Sequence, residues 1–389
     1  MRIVNATVVD IARGQLISNA CIVSEHGRIA GVRRQDGPEV ANTDDAIDAS
    51  GLYVMPGLID CHTHLVWDGS ADPTTVMLGM DDETNAIAMA KHVEATLRLG
   101  ITTVRDLASP HRVGFAVREA VRRGIVAGPN MVISGPNICM TGGHGWHMGL
   151  EADGVDEVRK ATRQLLKQGV DVIKVMASGG VYTDGEEPGS VQYSVEELSV
   201  AVEEAHKKNV RVSAHAEGIT GIRNALKAGV DTIEHSNLAD EAAWDDFLRQ
   251  GTWLIPTLVT FRNLARPGTG IPEFAIRKAQ QIQAAHSVNF RRAVEKGVKI
   301  AVGTDCNSPL LPHARYFDEL KVMHELGMSK LAVLQAATIN AAQAIARDDV
   351  GSIAPGKRAD LLLLSVNPLE DLDIGGKIVK IIKDGTVIR

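Results

Sequence analysis

Gly57-Leu58-Ile59-Asp60-Cys61-His62-Thr63-His64-Leu65 reads as a buried strand that ends in two histidines one residue apart. Side chains alternate across a strand, so His62 and His64 point to the same side. Two imidazoles together at a strand end make a poor core and a good metal grip. The plain alternative is two ordinary histidines near a strand terminus. The rest of the chain decides between them.

Downstream, strand-like and helix-like runs alternate. Short Val/Ile-rich runs at 100–106, 131–134, 170–175, 210–215, 230–235, 252–257 and 298–305 join the first strand to make eight. Amphipathic runs at 83–99, 155–168, 195–208 and 275–296 sit between them. Such alternation predicts an α/β fold, a (β/α)8 barrel spanning residues 56–349. A doubly wound open sheet is the competing arrangement. No Gly-x-Gly-x-x-Gly follows an early strand, which argues against its dinucleotide-binding form.

Residues 1–55 and 350–389 share a different texture of short strands and turns. His26-Gly27-Arg28 predicts one hairpin and Asp384-Gly385 another. Together they predict one small β domain closed from both termini. Two separate β appendages are the alternative.

In a barrel, chemistry gathers at the C-terminal strand ends. His62 and His64 end the first strand, His215 the fifth, His235 the sixth and Asp305 the eighth. Each alone reads as a hydrogen-bonded loop residue; all in register point to a shared site. Lys174 lies near the end of the fourth strand, in the apolar run Val172-Ile173-Lys174-Val175-Met176. Pointing inward, its ammonium would be costly to desolvate unless neutralised or modified. Carbamylation by CO2 would turn it into an anionic oxygen ligand able to bridge two divalent ions. Pointing outward, it would snorkel between helices. Asp305 is suited to ligate a metal and to take a proton from water, then pass it to a leaving amine. Arg105 and Asp106, ending the second strand, read as a structural pair.

Composition narrows the function classes. The net charge of −7 is spread along the chain, and no basic patch suggests nucleic acid. Cys21, Cys61, Cys139 and Cys306 are scattered without a CxxC pair, so no disulfide framework is expected. No basic region and long apolar core mark a signal peptide, and no apolar run reaches the ~18–20 residues that span a membrane. A cytoplasmic protein acting on a small molecule is expected; the pattern permits a homo-oligomer.

Taken together, His62-Thr63-His64, Lys174, His215, His235 and Asp305 resemble the metal-dependent amidohydrolase superfamily. The late Pro355-Gly356-Lys357-Arg358-Ala359-Asp360-Leu361 segment strengthens the likeness. The resemblance implies a distorted TIM barrel with a small β-sandwich made from both termini, and two divalent ions, with zinc the expected metal. His62 and His64 would hold one ion with Asp305, His215 and His235 the other, and a carbamate on Lys174 would bridge them. A hydroxide bridging the ions would attack a carbonyl carbon, with Asp305 as general base and acid. A narrower likeness is to the branch of Xaa-Pro dipeptidase-like and arginine or lysine carboxypeptidase-like enzymes and aryl amidases. Met140-Thr141-Gly142-Gly143-His144-Gly145 and Lys174-Val175-Met176-Ala177-Ser178-Gly179-Gly180 carry it. It implies that His144 polarises a carbonyl or binds a carboxylate, with glycines allowing close backbone approach. Tyr182, Glu217 and Thr257 are further candidates for substrate contact. Glu217 is a departure, because dipeptidase members often carry Tyr or His there. An acid suits a cationic or hydroxylated group better than a carboxylate. The expected substrates are dipeptides, N-acyl amino acids or aryl amides. The alternative is a mononuclear deaminase or imidazolonepropionase-like hydrolase, which needs no bridging lysine.

Overall fold

A computed structural model describes residues 1–35, 37 and 46–388. Three parallel strands, Leu58–Thr63, Ile101–Asp106 and Asn130–Ile133, form one arc. Val172–Met176, Arg211–Ala216, Thr232–His235, Trp253–Ile255 and Lys299–Ile300 form the other, again in parallel and in chain order. Backbone bonds close the circle. The Asp171 N–H donates to Ile133 O at 2.9 Å, and the Cys61 N–H to Val302 O at 2.9 Å. The result is a barrel of TIM type rather than an open sheet. Most of these strand residues are buried, as a parallel sheet covered on both faces requires.

Helices pack outside, and their ends follow from local chemistry. Ser194 opens Val195–His206 with a reciprocal capping box to Glu197. Gly154–Gln168 and Ile219–Ala228 stop at Gly169 and Gly229, whose φ values of 84° and 83° suit glycine. Each then turns directly into the next strand, so helix ends set where strands begin.

The barrel is distorted after its third strand. Asn137–Cys139 and Gly149–Glu151 pair in parallel and attach to Val172–Met176 through Ile138 and Val175. This insertion carries the loop with His144 over the barrel mouth. The eighth strand is shorter than the 298–305 run predicts. Beyond Ile300 the chain leaves regular β geometry, and Asp305 and Asn307 adopt φ values of 60° and 63°.

The terminal segments join, which excludes separate appendages. Tyr53–Pro56 runs parallel to Arg2–Asp10 on one side and antiparallel to Leu361–Leu364 on the other. Both predicted hairpins form, at Gly27 and at Asp384-Gly385. Eight strands of the two terminal segments connect into one sheet, which curls until Gly27 O accepts the Ala359 N–H at 2.9 Å and Lys357 O the Ile29 N–H at 2.8 Å. Its halves meet edge to edge, because Tyr53–Pro56 offers both of its hydrogen-bonding edges. A cluster including Ile3, Ile22, Val54, Leu361 and Ile382 forms its own apolar core.

Candidate metal centre

Strand alternation delivers His62 and His64 to one cavity at the barrel mouth. Lys174, His215, His235, Asp305, His144, Tyr182 and Glu217 line it too. The His62 and His64 Nε2 atoms are 3.3 Å apart, and Asp305 Oδ1 lies 3.6 and 3.2 Å from them. Ligand atoms of His62, His235 and Asp305 fall within 4.8 Å of one another, close enough to share an ion. His62, His64 and Asp305, expected to share one ion, lie within 3.6 Å of one another through their Nε2 and Oδ1 atoms, and His235 falls within reach of the same group. His215 stands beside it, its ring centroid 4.8 Å from that of His235.

The far nitrogens of three rings are tied down. His62 Nδ1 is 2.9 Å from Glu234 Oε2, His235 Nδ1 2.7 Å from Thr257 Oγ1, and His215 Nε2 3.1 Å from Gly179 O. A nitrogen that donates there leaves the ring's other lone pair for a cation. Burial pushes the pKa values of His62, His215 and His235 well below the ordinary range, and the Lys174 charge adds to it. These rings are therefore neutral near pH 7, the form that ligates. His235 holds φ +73°, a strained conformation for a non-glycine residue, at a point where the chain must aim a ligand.

Lys174 points inward. It is 1% exposed, and its Nζ has no hydrogen-bond partner. Burial lowers its pKa to about 8, so a larger fraction of amine is neutral than in an exposed lysine. A buried orphan nitrogen beside imidazoles and a carboxylate is what a carbamate-bridged pair of cations would complete. The donor set of neutral imidazoles and carboxylate oxygens also suits zinc. The residues present fit the group.

Beneath this layer lies a network that the sequence reading did not find. Arg105 and Glu234 are both buried, and Arg105 Nη2 donates to Glu234 Oε1 at 2.8 Å. Ser213 and Thr232 hydroxyls donate to the same oxygen at 2.8 and 2.6 Å. Arg105 therefore pairs with Glu234, and the expected Arg105–Asp106 pair does not form. Neighbouring residues on a strand face opposite sides. Asp106 Oδ1 instead accepts the Leu65 N–H at 2.8 Å.

The candidate substrate contacts divide. His144 stacks on His215 with centroids 4.3 Å apart, and its Nδ1 meets Thr183 Oγ1 at 2.9 Å. A Cβ at Gly143 or Gly145 would come within 3.0 Å of neighbouring side chains, so both positions need the small residue. Tyr182 lines the cavity and donates to Asp72 Oδ1 at 2.7 Å. Thr257 does not line it. Fully buried behind His235, Thr257 orients that ring rather than touching a substrate. His147 packs at 5.9 Å on Trp67, which itself lines the cavity. The 183–193 segment folds back on the chain. Lys278 Nζ donates to Thr183 O at 2.6 Å, and Arg277 pairs with Glu187 at 2.8 Å.

A parallel barrel with imidazoles, a lysine and a carboxylate at its C-terminal rim is the architecture of a metal-assisted hydrolase. The amidohydrolase family model matches residues 53–388, and the chain belongs to that family. It is 35% identical over 351 residues to an ochratoxinase of Aspergillus niger, covering 82% of this chain and 72% of that one. A Xaa-Pro dipeptidase structure with bound methionine in its active site superposes with TM-score 0.92 at 30% identity, covering 100% of this chain and 99% of its own. A prolidase complexed with N-methylphosphonate-L-proline gives 0.91 at 32%, covering 100% and 99%. The chain is thus a hydrolase acting on carbon–nitrogen bonds, in a family that generally uses divalent metals. The four cysteines are free and buried, and among the described residues no helix is long and apolar enough to cross a membrane.

Proposed function

We propose that this chain cleaves amide-type C–N bonds in a dipeptide, N-acyl amino acid or aryl amide, using two divalent ions, zinc in the first instance. His62, His64, His215, His235, Asp305 and a carbamate formed from Lys174 and CO2 would hold them. The observation that carries this reading is the orphaned, buried Lys174 Nζ in a cavity it shares with five histidines and Asp305. A mononuclear deaminase would have no use for that lysine. Ochratoxinase, Xaa-Pro dipeptidase and prolidase among the relatives support an amide substrate. Cations held there supply Lewis acidity that eases deprotonation of water and polarises a carbonyl.

The chain's own groups do the rest. Asp305 takes a proton from the attacking water and returns it to the leaving nitrogen, which departs as a neutral amine. His144, neutral through burial and steadied by Thr183, hydrogen-bonds the substrate. Tyr182 and Trp67 wall the cavity and exclude water. We also divide the chain functionally, with 56–349 carrying the chemistry and 1–55 with 350–389 forming the supporting β domain.

The test is metal content together with turnover. About two zinc per chain, bicarbonate-dependent reconstitution and hydrolysis of an amide library are expected. About one metal per chain, with ring deamination and no amide turnover, would replace this reading with the mononuclear one.

A further inference from the structure

Trp67 stands three residues beyond His64, on a turn pinned to the end of the first barrel strand. Its backbone N–H donates to His64 O at 3.0 Å, and the Leu65 N–H donates to Asp106 Oδ1 at 2.8 Å. The indole is 6% exposed and lines the cavity. Rings enclose it, with centroids at 4.9 Å for His64, 5.7 Å for Tyr182 edge-on and 5.9 Å for His147 stacked. Among the described residues its Nε1–H has no hydrogen-bond partner. Ser308 repeats the pattern: it lines the same cavity, is 3% exposed, and its Oγ has no partner either. The two residues sit on loops joined by backbone bonds, Gly69 N–H to Asn307 O and Leu310 N–H to Ser70 O, both at 3.1 Å. An indole N–H only donates. A cation cannot satisfy it; an acceptor atom can. A buried indole N–H usually finds such a partner, and one left without it is costly.

We infer that Trp67 and Ser308 form a subsite that reads an acceptor oxygen on the substrate, other than that of the scissile carbonyl. Trp67 Nε1 and Ser308 Oγ donate to a carbonyl or carboxylate oxygen carried near the scissile amide, and the indole ring walls the apolar group that bears it. This rests on the amide-hydrolase reading above and narrows it to amides with a second oxygen acceptor. Both donors are neutral, so the recognition does not depend on the charge of any neighbouring group. A substrate with a methylene where the oxygen belongs fills the space yet leaves two buried donors unpaired. Sites built on such bonds reject the analogue more strongly than an apolar pocket rejects a change of size.

The test uses the metal-loaded, full-length enzyme and two substrate series. In one, the acyl group carries a ketone carbonyl, a carboxylate or a methylene isostere beside the scissile amide. In the other, the amine carries the same three groups. Wild type should favour an oxygen-bearing member of at least one series over its methylene partner by about 10- to 100-fold in kcat/KM. Preference for the ketone or for the carboxylate supports the subsite and tells the two acceptors apart. Trp67→Phe, which keeps a ring against His147 but removes the N–H, should shrink that ratio toward one, and Ser308→Ala should shrink it as well. Equal turnover of the methylene members by wild type overturns the inference while amide hydrolysis itself stands. So does a ratio that Trp67→Phe leaves unchanged, including the case where it slows every member alike. A loaded wild type that cleaves no member of either series overturns the parent reading and this inference with it. Should Trp67→Phe not fold, Ser308→Ala decides: a reduced ratio supports the subsite, and an unchanged one refutes it.

Discussion

Glu234→Gln tests the layer beneath the proposed metal ligands. Glu234 Oε1 accepts from Arg105, Ser213 and Thr232, while Oε2 faces His62 Nδ1 at 2.9 Å. Glutamine has one acceptor oxygen and one amide donor. If its oxygen faces Arg105, its NH2 confronts the His62 Nδ1–H. The ring must then move its proton to Nε2, the nitrogen facing His64 and Asp305, and lose the lone pair a cation needs. If the amide flips, its NH2 confronts Arg105 and the two hydroxyls instead. Neither orientation satisfies the site. Loss of such a supporting bond costs about 10- to 100-fold in metal affinity. At a fixed metal concentration well above both dissociation constants, that removes about 1.4–2.7 kcal/mol of metal-linked stability. A second loss is independent of metal. Arg105 keeps its buried charge without a counter-ion, at roughly 3–5 kcal/mol.

The two losses separate experimentally. Denaturant unfolding in chelator reads the second, and unfolding in saturating zinc reads their sum. Competition with a chelator of known affinity gives the dissociation constant directly. The Arg105→Met/Glu234→Gln double variant removes the stranded charge and should regain most of the chelator-state stability without regaining metal affinity. An unchanged zinc affinity in Glu234→Gln, whatever happens to stability, refutes the claim that Glu234 sets the His62 proton.

Other outcomes are expected. His215→Ala and Lys174→Ala should each abolish hydrolysis while circular dichroism and cooperative unfolding are retained; full turnover in either removes that residue from the ligand set. Gly303→Ala places a Cβ 2.3 Å from Ile255 Cγ2 and 2.8 Å from His62 Cβ. Overpacking there should cost about 1–3 kcal/mol and weaken metal binding, both readable in one metal-dependent melt. His286 is buried against Phe261, and burial lowers its pKa from 6.5 to about 4. A depressed pKa in the folded state gives stability that is present above 6.5 and lost as pH falls through 4, on the order of 3 kcal/mol. His286→Gln should flatten that acid limb, and an identical limb in the variant would place the loss elsewhere.

What could be read in the chain before its fold was seen follows from how local each signal is. The His62/His64 register needs only strand alternation, and the inward Lys174 only an apolar run on either side of a charge. Both arise within one strand. Arg105, Glu234 and Thr257 escaped because their roles come from partners on other strands, and strand-to-strand register is not written in any single segment. A signal was nevertheless present. Glu234 precedes His235 in a buried strand, and Arg105 follows the β-branched run Ile101-Thr102-Thr103-Val104. The desolvation argument applied to Lys174 applies to both, and it predicts that each has a partner. The same reasoning then sorts the buried charges. Arg105 and Glu234 satisfy each other and complete the scaffold. Lys174 and Glu217 each keep an unpartnered atom in the cavity, beside orphaned atoms of His64 and Trp67. Under the proposed function the Lys174 orphan has a reason: CO2 and cations arriving from outside would complete it, as Glu234 completes Arg105 from within.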